Sequence, residues 1–148
     1  MKRLYSSIYG SPGISRSNLA KQTHLSKTTV STLIDELIDR EFIYDSGIQP
    51  SDSIGRKPNS LRVRQNSYFI AVLHWEENMV YAYLIDIAGS VLLQESRALG
   101  KTQTYIDVSF ICLYHSIFQK CDPKKVLGIC VVVSAMIDAP TTRSIPLL

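Results

Sequence analysis

Hydroxyl side chains and one lysine are concentrated in residues 26–32 of this chain of 148 residues, where the sequence reads SKTTVST. Short hydroxyls donate and accept hydrogen bonds, and a lysine ammonium binds anions. This combination suits contacts with the base edges and phosphates of a nucleic acid. The chemistry that the segment indicates is therefore recognition.

Catalytic or metal-binding chemistry is not indicated by the other reactive residues. His24, His74 and His115 fall in a predicted turn, a strand end and a helix, and no nucleophile, base and orienting group can be assembled around them. Cys112 and His115 are one helical turn apart, but a second pair at ligand spacing is missing, so both are interpreted as packing residues. We predict no enzyme activity, no cofactor and no bound metal.

Two crossed helices are predicted around this segment by the spacing of apolar residues. Ser15 can cap the first helix and Ser26 the second, which would run from about residue 27 to residue 40. Many helix-turn-helix motifs place glycine where His24 stands, and a left-handed backbone there would cost histidine on the order of 1 kcal/mol more than glycine. The expected core residues are Leu19, Ala20, Leu25, Val30, Leu33, Ile34, Leu37 and Ile38.

The second helix would expose one polar stripe, made of Ser26, Lys27, Thr28, Ser31, Thr32 and Asp35. Such a helix fits the major groove of DNA, where its N-terminal residues reach base edges and the positive end of its dipole faces phosphate. The plainer alternative is a surface helix with a solvated face. The DNA contacts predicted on the two helices are Arg16, Ser26, Lys27, Thr28, Thr29, Ser31 and Thr32.

A wing is predicted after the second helix. Residues 42–45 and 61–64 read as two short strands. The loop between them contains GRKP, in which a flexible residue, two cations and an extended proline suit a narrow A/T-rich minor groove. The predicted DNA contacts therefore include Gly55, Arg56, Lys57 and Pro58, with a plain basic loop as the alternative.

The basic charge lies in the same part of the chain. Residues 1–67 contain ten Lys or Arg and six Asp or Glu, a net charge of +4, whereas residues 68–148 contain six and seven, a net charge of −1. Phosphate binding depends on clustered cations. Because +4 is modest, we expect strong salt dependence and two copies of the chain on each DNA site.

The composition, with 45% hydrophobic and 20% charged residues, is that of a folded soluble protein. The N-terminal cations precede no long apolar stretch, so no signal peptide is expected, and no segment reaches the ~18 apolar residues of a membrane span. Three cysteines in apolar surroundings indicate reduced thiols. We therefore expect a cytoplasmic, nucleoid-associated protein with no membrane partner.

A second domain is predicted after the wing. Three segments rich in β-branched and aromatic residues, at 68–74, 79–87 and 90–97, indicate an antiparallel meander. A helix is expected over residues 104–121. Its inward positions would be Val108, Ile111, Cys112, His115 and Phe118.

Residues 126–133 form a continuous apolar run, which predicts a buried strand parallel to a neighbour after a crossover helix. The order of elements is then βββαβ. The expected fold class is α+β, with a winged helix-turn-helix domain over residues 1–66 and the βββαβ domain over residues 67–148.

The combined pattern resembles the ROK family (repressors, open reading frames and sugar kinases), in particular its sugar-responsive transcriptional repressors. The matching segments are ISRSNLAKQTHLSKTTVSTLIDELIDREFI and GRKPNSLRV in the first part, and YFIAVLHWEENMVYAYLIDIAGSVLLQES and VLGICVVVSAMIDAP in the second. The second match rests on Ala82, Leu84, Asp86, Gly89 and Gly128. The resemblance implies a partial actin-like (ribonuclease H-like) lobe, operator binding as an oligomer, and modulation by a sugar or a phosphotransfer protein.

Two departures from the family pattern argue against kinase chemistry. Kinase members wrap ATP phosphates with an Asp-x-Gly-Gly-Thr type loop, but the corresponding residues 74–78 here read HWEEN. Two carboxylates in place of glycine N–H groups would repel a nucleotide. The given chain also stops at Leu148, before the family's sugar-contacting residues, catalytic Asp and zinc site, so neither kinase activity nor a sugar effector is expected.

Three functions are therefore considered. The first is a sequence-specific transcriptional regulator, a repressor of sugar-metabolism genes that binds double-stranded DNA as a homodimer. The second is a truncated partner that does not bind DNA and hetero-oligomerises with a full-length regulator, and the third is a sugar-binding remnant.

One helix has to cover four strands in the second domain, so part of the sheet and the apolar residues 145–148 should be exposed. This exposure predicts self-association through the second domain.

Overall fold

The structure, a computed structural model, describes residues 1–48 and 59–134. The predicted wing-tip contacts Gly55, Arg56, Lys57 and Pro58 lie outside these residues, as do residues 145–148. Within the described ranges, three helices and a two-stranded hairpin are followed by a four-stranded sheet with a helical crossover.

In the first part of the chain, residues 1–48 and 59–63 form a headpiece of three helices and a hairpin. Its two strands pair antiparallel, and Ile14 forms a bridge with Leu61 that adds a short third strand beside them. The two later helices and the hairpin match the predicted winged helix-turn-helix, whereas the first helix was not anticipated. The elements are α1 (Lys2–Gly10), α2 (Arg16–Thr23), α3 (Lys27–Asp39), β1 (Ile43–Ile48) and β2 (Asn59–Val63).

One buried cluster holds the headpiece together. Helix α1 contributes Leu4 and Ile8, which lie one helical turn apart and are 1% and 0% exposed. Burial of each such side chain contributes about 1.5–3 kcal/mol, so α1 is an integral part of the headpiece. The remaining members of the cluster are Leu19, Ala20, Val30, Ile34, Leu37, Ile43 and Leu61.

The prediction of the helix-turn-helix core is wrong at one position. The Leu25 side chain is 40% exposed, because it lies in the turn between α2 and α3, outside the buried cluster. Leu33 and Ile38 are half-buried at the edge of the cluster. The other predicted core positions are buried.

A four-stranded sheet forms the second part of the chain. The strand order is β5-β4-β3-β6, in which β3, β4 and β5 make the predicted antiparallel meander and β6 runs parallel to β3. The strands are β3 (Phe69–Glu76), β4 (Met79–Asp86), β5 (Val91–Ala98) and β6 (Val126–Val133).

The crossover from β5 to β6 is a helical segment whose start is set by a capping box. The Thr104 hydroxyl accepts a hydrogen bond from the Asp107 N–H at 3.3 Å, and the Asp107 carboxylate accepts one from the Thr104 N–H at 2.8 Å. The Thr104 hydroxyl also donates to this carboxylate at 2.8 Å, and the hydrogen bonds from the Thr104 N–H and hydroxyl lower the pKa of Asp107. The segment comprises α4 (Tyr105–Cys112), a π-helical turn (Leu113–Ile117) and α5 (Phe118–Lys120).

The π-helical turn makes one sequence-based assignment wrong. His115, expected to pack inward, is exposed, whereas Ser116 and Ile117 are buried. A π turn contains more residues than an α turn, so it shifts the inward face along the sequence. The cluster under the helix comprises Phe69, Ala71, Leu73, Val80, Ala82, Leu84, Val108, Cys112, Leu113 and Ile117.

Strand β6 has the predicted direction but not the predicted burial. It lies at the edge of the sheet, and α4 contacts β4 and β5, which leaves β6 uncovered by that helix. Five of its large apolar side chains are 44% to 53% exposed: Leu127, Ile129, Val131, Val132 and Val133.

The Asp86 carboxylate joins the sheet to the segment that follows the headpiece. Asp86 is 2% exposed, and its carboxylate accepts hydrogen bonds from the N–H groups of Ala88 and Ser90 in the turn after β4, at 3.1 and 2.7 Å. It also accepts one from the Asn66 N–H at 3.1 Å. The division of the chain at residue 66 stays a prediction, but this contact ties the two sides of that point together.

Aromatic residues form a second connection between headpiece and sheet. The Tyr5 hydroxyl donates a hydrogen bond to the Ile87 carbonyl at 2.8 Å, and burial, followed by nearby Tyr9 and Asp86, raises the pKa of Tyr5. The Phe42 ring stacks on Tyr68 with centroids 4.7 Å apart. An open cavity of about 700 Å³, mostly apolar, lies beside these contacts.

Candidate nucleic-acid interface

The turn between α2 and α3 is fixed by local backbone interactions. Ser15 Oγ accepts a hydrogen bond from the Asn18 N–H at 3.2 Å, and Ser26 Oγ accepts one from the Thr29 N–H at 3.0 Å, so both predicted N-caps are confirmed. His24 has φ 58° and ψ 27°, which is the left-handed backbone conformation that the sequence analysis considered for this position. These features direct the first turn of α3 toward the surface.

The exposed first turn of α3 presents one cation and several hydroxyls. Lys27 and Thr28 are exposed, and within residues 1–48 and 59–134 no partner is seen for the Lys27 ammonium. Three hydroxyls are partly engaged: Ser26 Oγ lies 2.8 Å from Thr29 Oγ1, and the Thr32 hydroxyl donates to the Thr28 carbonyl at 3.2 Å. Because this turn also carries the positive end of the helix dipole, its chemistry favours an anion such as phosphate.

Arg16 has a different environment from the other predicted contacts on the helices. Its guanidinium lies against α3, with Nη2 2.8 Å from Asp35 Oδ1 and Nη1 donating to the Ser31 carbonyl at 3.4 Å. The Arg16 side chain is 30% exposed and that of Asp35 is 61% exposed. The structure thus brings Arg16, Ser31 and Asp35 together on the side of α3 that presents the polar stripe.

The second described strand of the wing and the residue after it carry cations that the sequence-based analysis did not single out. Arg62 lies opposite Tyr44 in the hairpin register, and the Arg64 guanidinium is 6.0 Å from the centre of the Tyr44 ring. The alternating cations in the segment LRVR are a sequence signal for a basic strand. The Ser46 hydroxyl donates to the Ser60 carbonyl at 2.9 Å and helps to hold the two strands in register.

A Ser-His-Glu group in the sheet does not have the arrangement of a catalytic triad. His74 Nε2 lies 2.9 Å from Ser134 Oγ and 3.9 Å from Glu76 Oε2. In a triad the acid orients the imidazole through the other ring nitrogen. Because serine and glutamate approach the same nitrogen, this group does not provide the geometry for activating Ser134.

The turn between β3 and β4 is the segment that the sequence-based prediction placed in the position of the ATP loop of the kinase members. Glu77 and Asn78 both have positive φ, 46° and 61°, and form a tight two-residue connection between Glu76 and Met79. The Asn78 N–H donates a hydrogen bond to the Tyr105 hydroxyl oxygen at 3.0 Å. A turn of this length, with exposed Glu77, lacks the run of glycine N–H groups that cradles a phosphate.

The cysteines have distinct environments. Cys112 is buried, and burial, then the adjacent Glu95, raises its pKa to about 11, whereas Cys130 is exposed. Cys112 is buried and His115 exposed, so they lie on different sides of the helix.

Across the two described ranges, no three His, Cys, Asp or Glu side chains are grouped to hold a metal ion. No helix in these ranges has the length and apolar character to cross a membrane.

Comparison with known proteins adds independent information about this geometry. The model of the MarR family matches residues 4–46, which include most of α1 and the whole of α2 and α3. A putative xylose repressor from Caldicellulosiruptor sp. (strain Rt8B.4) is 30% identical over 129 residues, which cover 84% of this chain and 32% of the relative. The xylose repressor of Bacillus subtilis (strain 168) is 27% identical over 140 residues, or 93% of this chain and 36% of the relative.

The resemblance to the ROK family of transcriptional regulators is confirmed. A crystal structure of a ROK family transcriptional regulator, described as a homologue of the E. coli MLC protein, superimposes with a TM-score of 0.67 at 20% identity. The match covers 92% of this chain and 35% of that regulator, and it supports the α+β class with the winged helix-turn-helix followed by the sheet. The chain spans about a third of the length of the xylose repressors that it matches.

Proposed function

We propose that this chain is a sequence-specific DNA-binding transcriptional regulator. The observation that carries the proposal is the first turn of α3, where Lys27 and neighbouring hydroxyls are exposed at the positive end of a helix fixed by the Ser26 cap. This helix would enter the major groove. The residues proposed to face DNA on α3 are Ser26, Lys27, Thr28, Thr29, Ser31 and Thr32.

The wing would supply a second set of contacts. Gly55, Arg56, Lys57 and Pro58 are proposed to lie in the minor groove beside the groove that α3 reads, where a narrow A/T-rich tract attracts cations. Arg62, on β2, and Arg64, immediately after it, add positive charge to the same hairpin. Relatives described as xylose repressors support repression of genes for sugar metabolism as the output, and DNA in the cytoplasm as the place of action.

Kinase activity is not part of the proposed function. The tight turn at Glu77 and Asn78 leaves a nucleotide phosphate without glycine N–H donors and places a carboxylate beside it. Titration calorimetry with sugars and nucleotide analogues should give no binding heat.

The chain is also proposed to act as a homodimer. The half-exposed apolar side chains of β6 would be covered in a self-association through the sheet, and one headpiece makes few phosphate contacts. Light scattering during size-exclusion chromatography tests this, because a clean monomer at micromolar concentration would contradict it. The same apolar edge of β6 favours a second candidate function, in which the chain is a partner of a full-length regulator. In that case the chain would co-purify with the regulator and would not bind DNA alone.

A binding experiment tests the DNA contacts. Duplexes that the chain enriches from a random-sequence pool would be used in mobility-shift titrations at several salt concentrations. Lys27→Ala should weaken binding about tenfold, because a base or phosphate contact is lost, and should lower the salt slope by about one if the contact is to phosphate.

The matched control removes the same charge from the sheet side of the molecule. Lys101 is exposed in the segment before α4, and Lys101→Ala should leave affinity unchanged. Failure of the wild-type chain to enrich any duplex would refute DNA binding. Unchanged affinity in both Lys27→Ala and Arg56→Ala would refute the proposed contacts.

A further inference from the structure

The Arg16–Asp35 pair is unusual because each partner occupies an unfavourable position for its own charge. Arg16 is the first residue of α2, where the positive end of the helix dipole disfavours a cation. Asp35 lies on the polar stripe of α3, where a carboxylate would face DNA phosphates. The 2.8 Å contact between Arg16 Nη2 and Asp35 Oδ1 offsets both disadvantages.

The same arginine also reaches the backbone of α3. Arg16 Nη1 donates to the Ser31 carbonyl at 3.4 Å, one helical turn before Asp35. A planar guanidinium with donors to two successive turns fixes the position of α3 relative to the start of α2. With 30% of the side chain exposed, Arg16 is engaged at the helix crossing, whereas Lys27 extends from it.

We infer that Arg16 is a positioning residue for DNA recognition: it acts by neutralising the Asp35 carboxylate within the protein, and its guanidinium does not itself bind DNA. This inference rests on the proposed function, and it revises the sequence-based expectation that Arg16 contacts DNA. Its chemical basis is that the stripe can approach phosphate only when the Asp35 charge is balanced within the protein.

Removal of Arg16 should therefore weaken DNA binding, because the negative charge of the Asp35 carboxylate is then no longer neutralised. Arg16→Ala should lose about tenfold in affinity for the enriched duplexes, because like charges then face each other across the interface. Arg16→Gln, which keeps a donor for the Ser31 carbonyl but not the charge, should lose affinity to a similar extent.

The decisive variant removes both charges. Arg16→Ala/Asp35→Asn should recover affinity to within about threefold of wild type and retain the wild-type salt slope, because no phosphate contact has been lost. A purely structural role would not produce recovery, since the double variant lacks the clamp between the helices. A direct contact of Arg16 with DNA would leave the double variant as weak as Arg16→Ala, or lower its salt slope by about one, and either result would overturn the inference.

Controls separate the possible failures. Circular dichroism melts of each variant establish that the headpiece is folded, and Arg16→Gln substitutes for Arg16→Ala if the latter unfolds. Absence of wild-type binding to any selected duplex would refute the proposed function. Wild-type binding with no recovery in the double variant would refute only the role of Arg16.

Discussion

His24 illustrates how a single residue sets the geometry of the recognition helix. Its φ of 58° lies in the left-handed region, which an L-residue with a Cβ occupies at a cost. The residue ends α2, and the next-but-one residue caps α3. The strained backbone at this position allows the two helices to cross after only a short turn.

The strain at His24 predicts a stabilising substitution. His24→Gly should raise the free energy of unfolding by about 0.5–1 kcal/mol, because glycine adopts positive φ without the Cβ contact. Urea unfolding with an unchanged m-value measures the effect.

The matched control for this substitution is Gln22→Gly, an exposed position inside α2. There glycine should lower stability by about 1 kcal/mol, because it loses more conformational entropy in a helix. A loss of stability in both variants would contradict the assignment of strain to His24.

The position of the crossover helix on the sheet determines the chemistry of one of its side chains, the Cys112 thiol. Cys112 closes α4 immediately before the π-helical turn and is fully buried against the sheet. Burial disfavours the thiolate and raises the Cys112 pKa to about 11. This cysteine is therefore a packing residue with an unreactive thiol at neutral pH.

The raised pKa predicts a pH dependence of stability. The unfolded thiol loses its proton near its ordinary pKa of 9.0, whereas the folded thiol keeps it until about 11. Between these values the unfolded state binds fewer protons, so the contribution of Cys112 to stability is complete below pH 9 and decreases as the pH rises toward 11.

Denaturant titrations from pH 8 to pH 11, a range that spans both values, measure this dependence. Cys112→Ala should be less stable than wild type at pH 8, and the difference should narrow toward pH 11. Cys130→Ala removes an exposed thiol and should follow the wild-type curve. A constant difference between wild type and Cys112→Ala would contradict the prediction.

Local signals were sufficient to predict most elements, and long-range contacts explain the errors. The caps at Ser15 and Ser26, the alternation in the meander and the apolar run of β6 depend on neighbouring residues, so the sequence contains them. Helix α1 was missed because only Leu4 and Ile8 signal its buried face, and their burial depends on residues far along the chain.

For the candidate DNA-binding site, too, the sequence predicted local features but not the contacts between helices. The exposed hydroxyls and Lys27 follow from the helix period, but the pairing of Arg16 with Asp35 depends on how two helices cross, which spacing does not specify. The exposure of His115 arises from a π turn for which the segment LYHSI has no distinguishing local signal. The half-exposure of β6 depends on the lateral position of α4 on the sheet.

At the scale of the molecule, headpiece and sheet are joined by polar and aromatic contacts of a few specific residues. The hydrogen bond from the Tyr5 hydroxyl to the Ile87 carbonyl links α1 to the turn after β4. The stacked rings of Phe42 and Tyr68 lie at the same junction. The connection therefore depends on α1, the element that the sequence did not reveal.

Loss of the Tyr5 hydroxyl should weaken this junction. Tyr5→Phe should lower the free energy of unfolding by about 1 kcal/mol, the usual worth of one hydrogen bond, and should speed amide exchange in residues 87–90. Hydrogen exchange followed by mass spectrometry measures the local effect.

Tyr9→Phe is the control on the same helix. Tyr9 is 51% exposed, and in the described part of the chain its hydroxyl makes no hydrogen bond, so its removal should change neither stability nor exchange. Equal effects of the two substitutions would show that the Tyr5 hydrogen bond does not hold the junction.

The Asp86 carboxylate accepts hydrogen bonds from the Asn66 N–H and from the turn after β4 at the same time. These contacts restrict movement of the headpiece relative to the sheet. In the proposed homodimer, the separation and phase of the two recognition helices would then be dictated by protein geometry. One base pair inserted between two half-sites turns one of them by about 35° around the duplex axis. Operators should consequently be selected by spacer length as strictly as by the bases themselves.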